Sequence, residues 1–147
     1  MINIGLICGS LLLGITALGS GIGINICGQA AIGAWKKCFL SNKPAPMILI
    51  AFAANPVTQT FYAFILTQRF MEVAAGATDI NQILVYFGYA LAAGISLFVT
   101  AIIQGKIGAC AVDALCETRK GFAHYYTVMG AAETVALFTM VFTIAML

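Results

Sequence analysis

Residues 125–147 read YYTVMGAAETVALFTMVFTIAML, an apolar run in which Glu133 is the only charged residue. An apolar helix of roughly 20 residues crosses the ~30 Å hydrocarbon core of a bilayer. A carboxylate near the middle of such a helix costs roughly 2.5–3.5 kcal/mol on insertion scales, so it is rarely structural. The stretch therefore predicts a membrane span in which Glu133 binds and releases a small cation.

The same pattern recurs along the whole chain. The 147 residues are 62% hydrophobic and only 8% charged, whereas soluble domains carry about 25% charged residues. The charges delimit four stretches, 1–35, 44–68, 80–105 and, Glu133 excepted, 121–147. We expect an all-α membrane protein whose four transmembrane helices form two tandem hairpins. The predicted hairpins are residues 1–75, with spans at about 3–35 and 47–70, and residues 76–147, with spans at about 81–115 and 125–147.

The basic residues predict the orientation. The loops after the first and third spans hold Lys36, Lys37, Lys43, Arg119 and Lys120. By the positive-inside tendency these loops are cytoplasmic and both termini lie on the other side of the cell membrane. No basic residue precedes the first span, so we expect a retained helix rather than a signal peptide. The net charge of +2 is too small to suggest nucleic acid as a partner.

The five cysteines, Cys8, Cys27, Cys38, Cys110 and Cys116, form no CxxC pair and no Cys/His cluster. The pattern predicts neither a disulfide framework nor a cysteine-based metal site. Buried cysteines of this kind behave as small apolar residues.

The second span contains a proline with polar neighbours. Pro56 has no N–H group, so it deprives the carbonyl of Phe52 of its helical donor. Four polar residues share one helix face by their i, i+3, i+4, i+7 spacing: Asn55, Thr58, Gln59 and Tyr62. Their oxygens beside freed carbonyls indicate a cation cage. The alternative is ordinary hydrogen bonding between helices, worth about 0.6 kcal/mol per contact.

The first and third spans carry small residues that favour close helix packing. Gly5 and Gly9, like Gly19 and Gly23, are spaced at four. In the third span, Gln104 is the deepest strongly polar side chain.

The two halves look like a duplicated hairpin. Each half has a glycine- and alanine-rich helix, a basic loop and an apolar helix with a buried polar residue. Val57-Thr58-Gln59-Thr60 corresponds to Ala131-Ala132-Glu133-Thr134, so only the second copy has the carboxylate. A hairpin repeat is compatible with ring-like arrays.

Three segments resemble one family over the whole chain: NPVTQTFY (55–62), IQGK (103–106) and AAET (131–134). They are similar to the proteolipid (c or K) ring subunit of V-type rotary ATPases, in particular its sodium-translocating bacterial branch. The resemblance implies a homo-oligomeric rotor ring. It also implies a Na⁺ site made by Glu133, Gln59, Gln104, the hydroxyl of Thr58 and the backbone carbonyl of Asn55, with Tyr62 hydrogen-bonded to Glu133. The family usually has an apolar residue where this chain has Asn55, so the Asn55 side-chain oxygen can compete for that place.

The resemblance further implies ATP-driven Na⁺ transport through Glu133. The expected partners are a stator subunit with an arginine, a central-stalk subunit at the cytoplasmic loops, and membrane lipid. No phosphate-binding loop is present, so we expect no catalysis by the chain alone. Two glutamines and a threonine would be superfluous for carrying protons, and they favour Na⁺, which prefers oxygen ligands. Proton transport by the same ring remains the alternative.

Two other classes fit less well. Small four-span exporters have a similar length but carry their essential acid in the first span, and this first span has none. In a purely structural four-span protein, Glu133 would only pair with a neighbouring helix.

Overall fold

A computed structural model describes residues 3–147 as four helices. They are α1 (Ile4–Leu40), α2 (Met47–Val73), α3 (Ile80–Thr118) and α4 (Phe122–Met146). All four are long and apolar enough to cross a membrane, and residues 3–147 contain no strand. The predicted fold class, an all-α membrane protein with four spans, is confirmed.

The helices are longer than the predicted spans. α1 continues to Leu40 and α3 continues to Thr118, because Lys36, Lys37 and Glu117 extend the helices beyond their apolar parts. These residue types are good helix formers, and the absence of charge marks only the part of a helix that suits hydrocarbon. α3 ends where Arg119 adopts a left-handed conformation (φ 57°), and the turn to α4 completes at Gly121 (φ 88°).

Pro56 changes the winding of α2. A 3₁₀ turn over Asn55–Val57 separates the α-helical segments Ile50–Ala54 and Thr58–Val73. Proline cannot donate the next helical hydrogen bond, and a tighter turn is a common local solution. The turn includes the proline for which the sequence predicted the loss of a helical hydrogen bond, and Pro56 is buried.

α1 and α3 pack along each other, α2 lies against both, and α4 lies against α3 and α2. α1 and α3 approach each other closely at Gly23 and Gly105, where a Cβ atom on Gly105 would overlap the Gly23 backbone. α1 also lies close to α2, as the hydrogen bond from the Thr67 hydroxyl to the carbonyl oxygen of Gly9 (3.0 Å) shows. Small residues therefore mediate close packing of α1, as the spacing of its glycines predicted, but they do so towards two neighbouring helices and not on one side alone.

Both basic loops lie at the same end of the bundle. The Arg119 guanidinium donates to the carbonyl of Pro44 over 2.9 Å, and the Trp35 indole N–H donates to the carbonyl of Pro46 over 2.9 Å. Lys37 and Asp113 form an exposed ion pair at 3.7 Å. These contacts join the α1–α2 loop to the end of α3.

Two apolar clusters lie on either side of a polar layer. The cluster nearer the link between α2 and α3 contains Cys8, Leu12, Ala63, Leu66, Phe70, Ala90, Ala93, Leu97 and Ala136. The cluster nearer the basic loops contains Cys27, Ala31, Ala34, Leu49, Phe52, Ala111, Val112, Leu115 and Met129. Glu133 and its polar partners occupy the intervening level of the bundle.

Candidate ion-binding site

Glu133 is half-buried on α4 and accepts hydrogen bonds from side chains of α2 and α3. The Tyr62 hydroxyl donates to Oε1 over 2.5 Å. Three groups donate to Oε2: the Thr58 hydroxyl at 2.9 Å, Gln104 Nε2 at 2.5 Å and Gln59 Nε2 at 3.5 Å. The structure thus brings together the carboxylate and four polar side chains that the sequence singled out.

Gln59 and Gln104 are fully buried and join α2 to α3. Gln59 Nε2 donates to Gln104 Oε1 over 2.9 Å. A rotation of either amide about its last bond exchanges a donor N–H for an acceptor oxygen at nearly the same place. The same two side chains can therefore hold a bare carboxylate through their N–H groups or offer oxygens to a cation.

The hydroxyl oxygen of Thr58 lies among three acceptor oxygens. These are Glu133 Oε2 at 2.9 Å, the Asn55 carbonyl at 3.0 Å and Gln59 Oε1 at 3.3 Å. A hydroxyl has one hydrogen and can donate to only one of them at a time. The other two keep lone pairs directed at the same small region, and this arrangement suits a cation that prefers oxygen ligands.

The two oxygens of Asn55 have different neighbours. The backbone carbonyl accepts the N–H of Thr58 in the 3₁₀ turn and lies next to the Thr58 hydroxyl. The side-chain oxygen instead accepts a hydrogen bond from the Tyr126 hydroxyl over 3.0 Å. Of the alternatives left open by the sequence, the structure places the carbonyl beside the polar cluster and the side chain away from it.

Sequence reasoning missed Tyr126. The spacing could have indicated it, because Tyr126 precedes Glu133 by seven residues and therefore lies on the same face of α4. The ring also packs against Phe52 of α2, with 6.1 Å between the ring centroids, and stacks on Phe122 of its own helix, with 5.4 Å between the centroids.

Within residues 3–147, the carboxylate of Glu133 has no basic partner. The ion pairs in this range are Lys37–Asp113 and Arg69–Glu72, and neither includes Glu133. Nor does this part of the chain place three or more His, Cys, Asp or Glu side chains together as metal ligands. The site therefore combines one negative charge with neutral oxygens, and one proton or one monovalent cation would neutralise it.

Residues 87–146 match the family model of the ATP synthase c-subunit. This part of the chain is therefore similar to the c-subunit family. The match covers less than half of the chain and includes Gln104 and Glu133, whereas Asn55, Thr58, Gln59 and Tyr62 lie outside it. A search of curated proteins found no match.

The c-subunits of that family form oligomeric membrane rings with other ATP synthase subunits, and they translocate ions without being catalytic themselves. The four apolar helices agree with a multi-pass membrane protein of this kind. The half-buried carboxylate of Glu133 lies within the matched helices, so the family match and the site geometry concern the same residue.

Proposed function

We propose that this chain is a rotor-ring subunit of a V-type ATPase and that Glu133 carries Na⁺ across the membrane. The observation that carries the proposal is the oxygen cluster around the Thr58 hydroxyl, next to a carboxylate that has no basic partner in the described residues. A bound cation would supply the balancing charge within the membrane. The proposed ligands are Glu133, Thr58, Gln59, Gln104 and the Asn55 carbonyl.

The charge of the site favours a monovalent ion. One carboxylate balances one Na⁺, whereas divalent sites in proteins usually gather more carboxylates. Loading requires the Thr58 proton to point to one acceptor and the two amides to turn their oxygens inward. Tyr62 stays hydrogen-bonded to Oε1, so Oε2 is the carboxylate oxygen that faces the cluster.

The proposed transport cycle follows from neutralisation of Glu133. A loaded carboxylate is uncharged overall and can face lipid while the ring turns. At the stator, a nearby arginine stabilises the bare carboxylate, so the ion is released into an aqueous path. Moving one charge against 100 mV requires about 2.3 kcal/mol, which ATP hydrolysis in the peripheral sector supplies.

The V-type assignment rests on the two-hairpin chain in which Gln59 and Glu133 occupy corresponding places. Only one of the two hairpins then contributes an ion-carrying carboxylate. The basic loops meet at one end of the bundle, and we place that end in the cytoplasm of a bacterium, against the central stalk. Both termini then lie on the opposite side of the cell membrane.

The test is labelling of Glu133 by a hydrophobic carbodiimide, which modifies protonated carboxyl groups within membranes. In purified ring, Na⁺ should slow labelling of Glu133 with a saturable midpoint, while equal concentrations of K⁺ or choline should not. Peptide mass spectrometry separates Glu133 from the exposed Asp113, whose labelling should not respond to Na⁺. Absence of protection at any Na⁺ concentration would overturn the sodium proposal.

Proton transport by the same ring is the second candidate, and the contact of Glu133 with Tyr62 favours it. The Tyr62 hydroxyl lies 2.5 Å from Glu133 Oε1, and a hydroxyl can accept as well as donate, so it can also hydrogen-bond a protonated Glu133. In that case labelling would depend on pH alone. For a sodium site, lowering the pH should instead raise the Na⁺ midpoint, because the proton and the cation compete for the same carboxylate.

A further inference from the structure

Two cysteines from different hairpins lie next to each other at the loop end of the bundle. Cys38 is on α1 and Cys116 is on α3, 78 residues apart in sequence, and their sulfur atoms are separated by 3.5 Å. A disulfide bond is about 2.05 Å long, so side-chain rotation and a small backbone adjustment would bring the sulfurs together. Both cysteines carry free thiols.

The surroundings of the two sulfurs differ. Arg119 donates a hydrogen bond from Nη2 to the sulfur of Cys38 over 3.2 Å, so a guanidinium lies directly beside one of the two sulfurs. Cys116 contacts the carbonyl oxygen of Ala34 at 3.6 Å and is the more accessible of the pair, because Cys38 is only 4% exposed.

A cleft of about 640 Å³ opens beside the pair. The residues that line it include three basic side chains and one acidic side chain: Lys37, Lys43, Arg119 and Glu117. Lys37 is paired with Asp113, but Lys43 and Arg119 against Glu117 still leave the cleft with a net positive charge, which attracts small anions.

We propose that Cys38 and Cys116 form a thiol–disulfide exchange site for a small anionic disulfide of the glutathione disulfide type. The Cys116 thiol first loses its proton to water, and the thiolate attacks the small disulfide. One sulfur–sulfur bond breaks, a mixed disulfide forms on Cys116, and the released thiolate takes up a proton.

The Cys38 thiol then loses its proton to water, and its thiolate attacks the sulfur of Cys116 and expels the second small thiolate, which takes up a proton. The two protein thiols are oxidised by two electrons in total, and the small disulfide is reduced to two thiols. The product is a bridge between the loop ends of α1 and α3.

This bridge is independent of the ion site. The apolar cluster that contains Cys27, Phe52 and Met129 lies between the cysteine pair and Glu133. Oxidation should therefore leave Na⁺ protection of Glu133 unchanged, and the test of this site does not depend on the proposed transport function.

The experiment treats the assembled protein in membranes with glutathione disulfide, blocks free thiols and maps the peptides under non-reducing conditions. The expected product is one linked Cys38–Cys116 peptide pair, lighter by two hydrogens than the separate peptides and restored by dithiothreitol. Cys38→Ser or Cys116→Ser should lose it. Cys110→Ser is the matched control and should keep it, because Cys110 is exposed on α3 and has no sulfur partner within residues 3–147.

Two further comparisons test Arg119 and the charge of the cleft. Arg119→Gln should slow bridge formation, and Arg119→Lys should restore part of the rate. Glutathione disulfide should react faster than cystamine, a cationic disulfide, and its advantage should shrink as salt is added. Faster reaction with cystamine would overturn the proposal. So would the absence of any Cys38–Cys116 bridge after treatment with glutathione disulfide when both thiols are still free for alkylation.

Discussion

The Tyr126 hydroxyl of α4 donates to the side-chain oxygen of Asn55 on α2, 3.0 Å away, and so fixes the direction of the residue before Pro56. The backbone carbonyl of Asn55 remains beside the Thr58 hydroxyl at 3.0 Å. A contact outside the polar cluster around Glu133 thus holds the side-chain oxygen of Asn55 away from it, while the carbonyl faces it.

Tyr126→Phe should weaken Na⁺ binding without loss of the fold. The ring still packs against Phe52 and Phe122, but the freed Asn55 amide can turn towards the cluster and disturb it. A typical hydrogen bond contributes about 1 kcal/mol, which corresponds to roughly a fivefold rise of the Na⁺ midpoint. Carbodiimide labelling of Glu133 at graded Na⁺ concentrations measures the midpoint.

The neighbouring tyrosine provides the control for this prediction. Tyr125→Phe removes a hydroxyl that makes no hydrogen bond to Asn55 or Glu133 in the described part of the chain, so the midpoint should stay at the wild-type value. If Tyr126→Phe also leaves it unchanged, the hydrogen bond to Asn55 has no role in positioning the carbonyl.

Thr58→Val should raise the Na⁺ midpoint more strongly than Tyr126→Phe. The valine has nearly the shape of threonine but removes the oxygen that lies between Glu133 Oε2 and the Asn55 carbonyl. Interactions with charged groups contribute about 1.5–3 kcal/mol, or roughly a tenfold to a hundredfold change. Thr58→Ser keeps the hydroxyl and should stay within a few-fold of wild type. Equal midpoints for the valine and serine variants would exclude Thr58 as a ligand.

Glu133→Gln should abolish ATP-driven Na⁺ uptake into membrane vesicles. The glutamine is similar in size and can still accept from Tyr62, but it has no negative charge to balance a cation. Asp113→Asn, at an exposed ion pair with Lys37, is the matched control and should retain uptake. Such exposed pairs contribute only about 0–1 kcal/mol. Uptake that survives in Glu133→Gln would show that the carboxylate has only a structural role.

The sequence predicted the four spans because uncharged stretches of sufficient length leave few alternatives in a membrane. It did not predict the helix ends, because Lys36, Lys37 and Glu117 are charged yet helical. Charge reports where a helix leaves hydrocarbon, whereas backbone conformation at residues such as Arg119 and Gly121 determines where it ends.

The site was predictable only in part from residue spacing. The i, i+3, i+4, i+7 pattern placed Asn55, Thr58, Gln59 and Tyr62 on one face, but spacing within α2 says nothing about which face of α3 or α4 meets it. The link to Gln104 and Glu133 came from family resemblance. No local pattern joins residues as distant in sequence as Cys38 and Cys116.

Gly105→Ala should reduce both stability and Na⁺ affinity. Gly105 lies against Gly23, and an added Cβ atom would overlap backbone that cannot move without separating α1 from α3. Overpacking of this kind costs about 1–3 kcal/mol. Because Gln104 is the adjacent residue and donates to Glu133 Oε2, a shift of α3 should also raise the Na⁺ midpoint. Thermal denaturation of the purified ring and Na⁺ protection of Glu133 measure the two effects.

Gly88→Ala, on the same helix but with open space around it within the chain, is the control for this prediction and should leave both quantities unchanged. Equal melting temperatures for the two variants would contradict the view that the approach of α1 to α3 at this point positions Gln104.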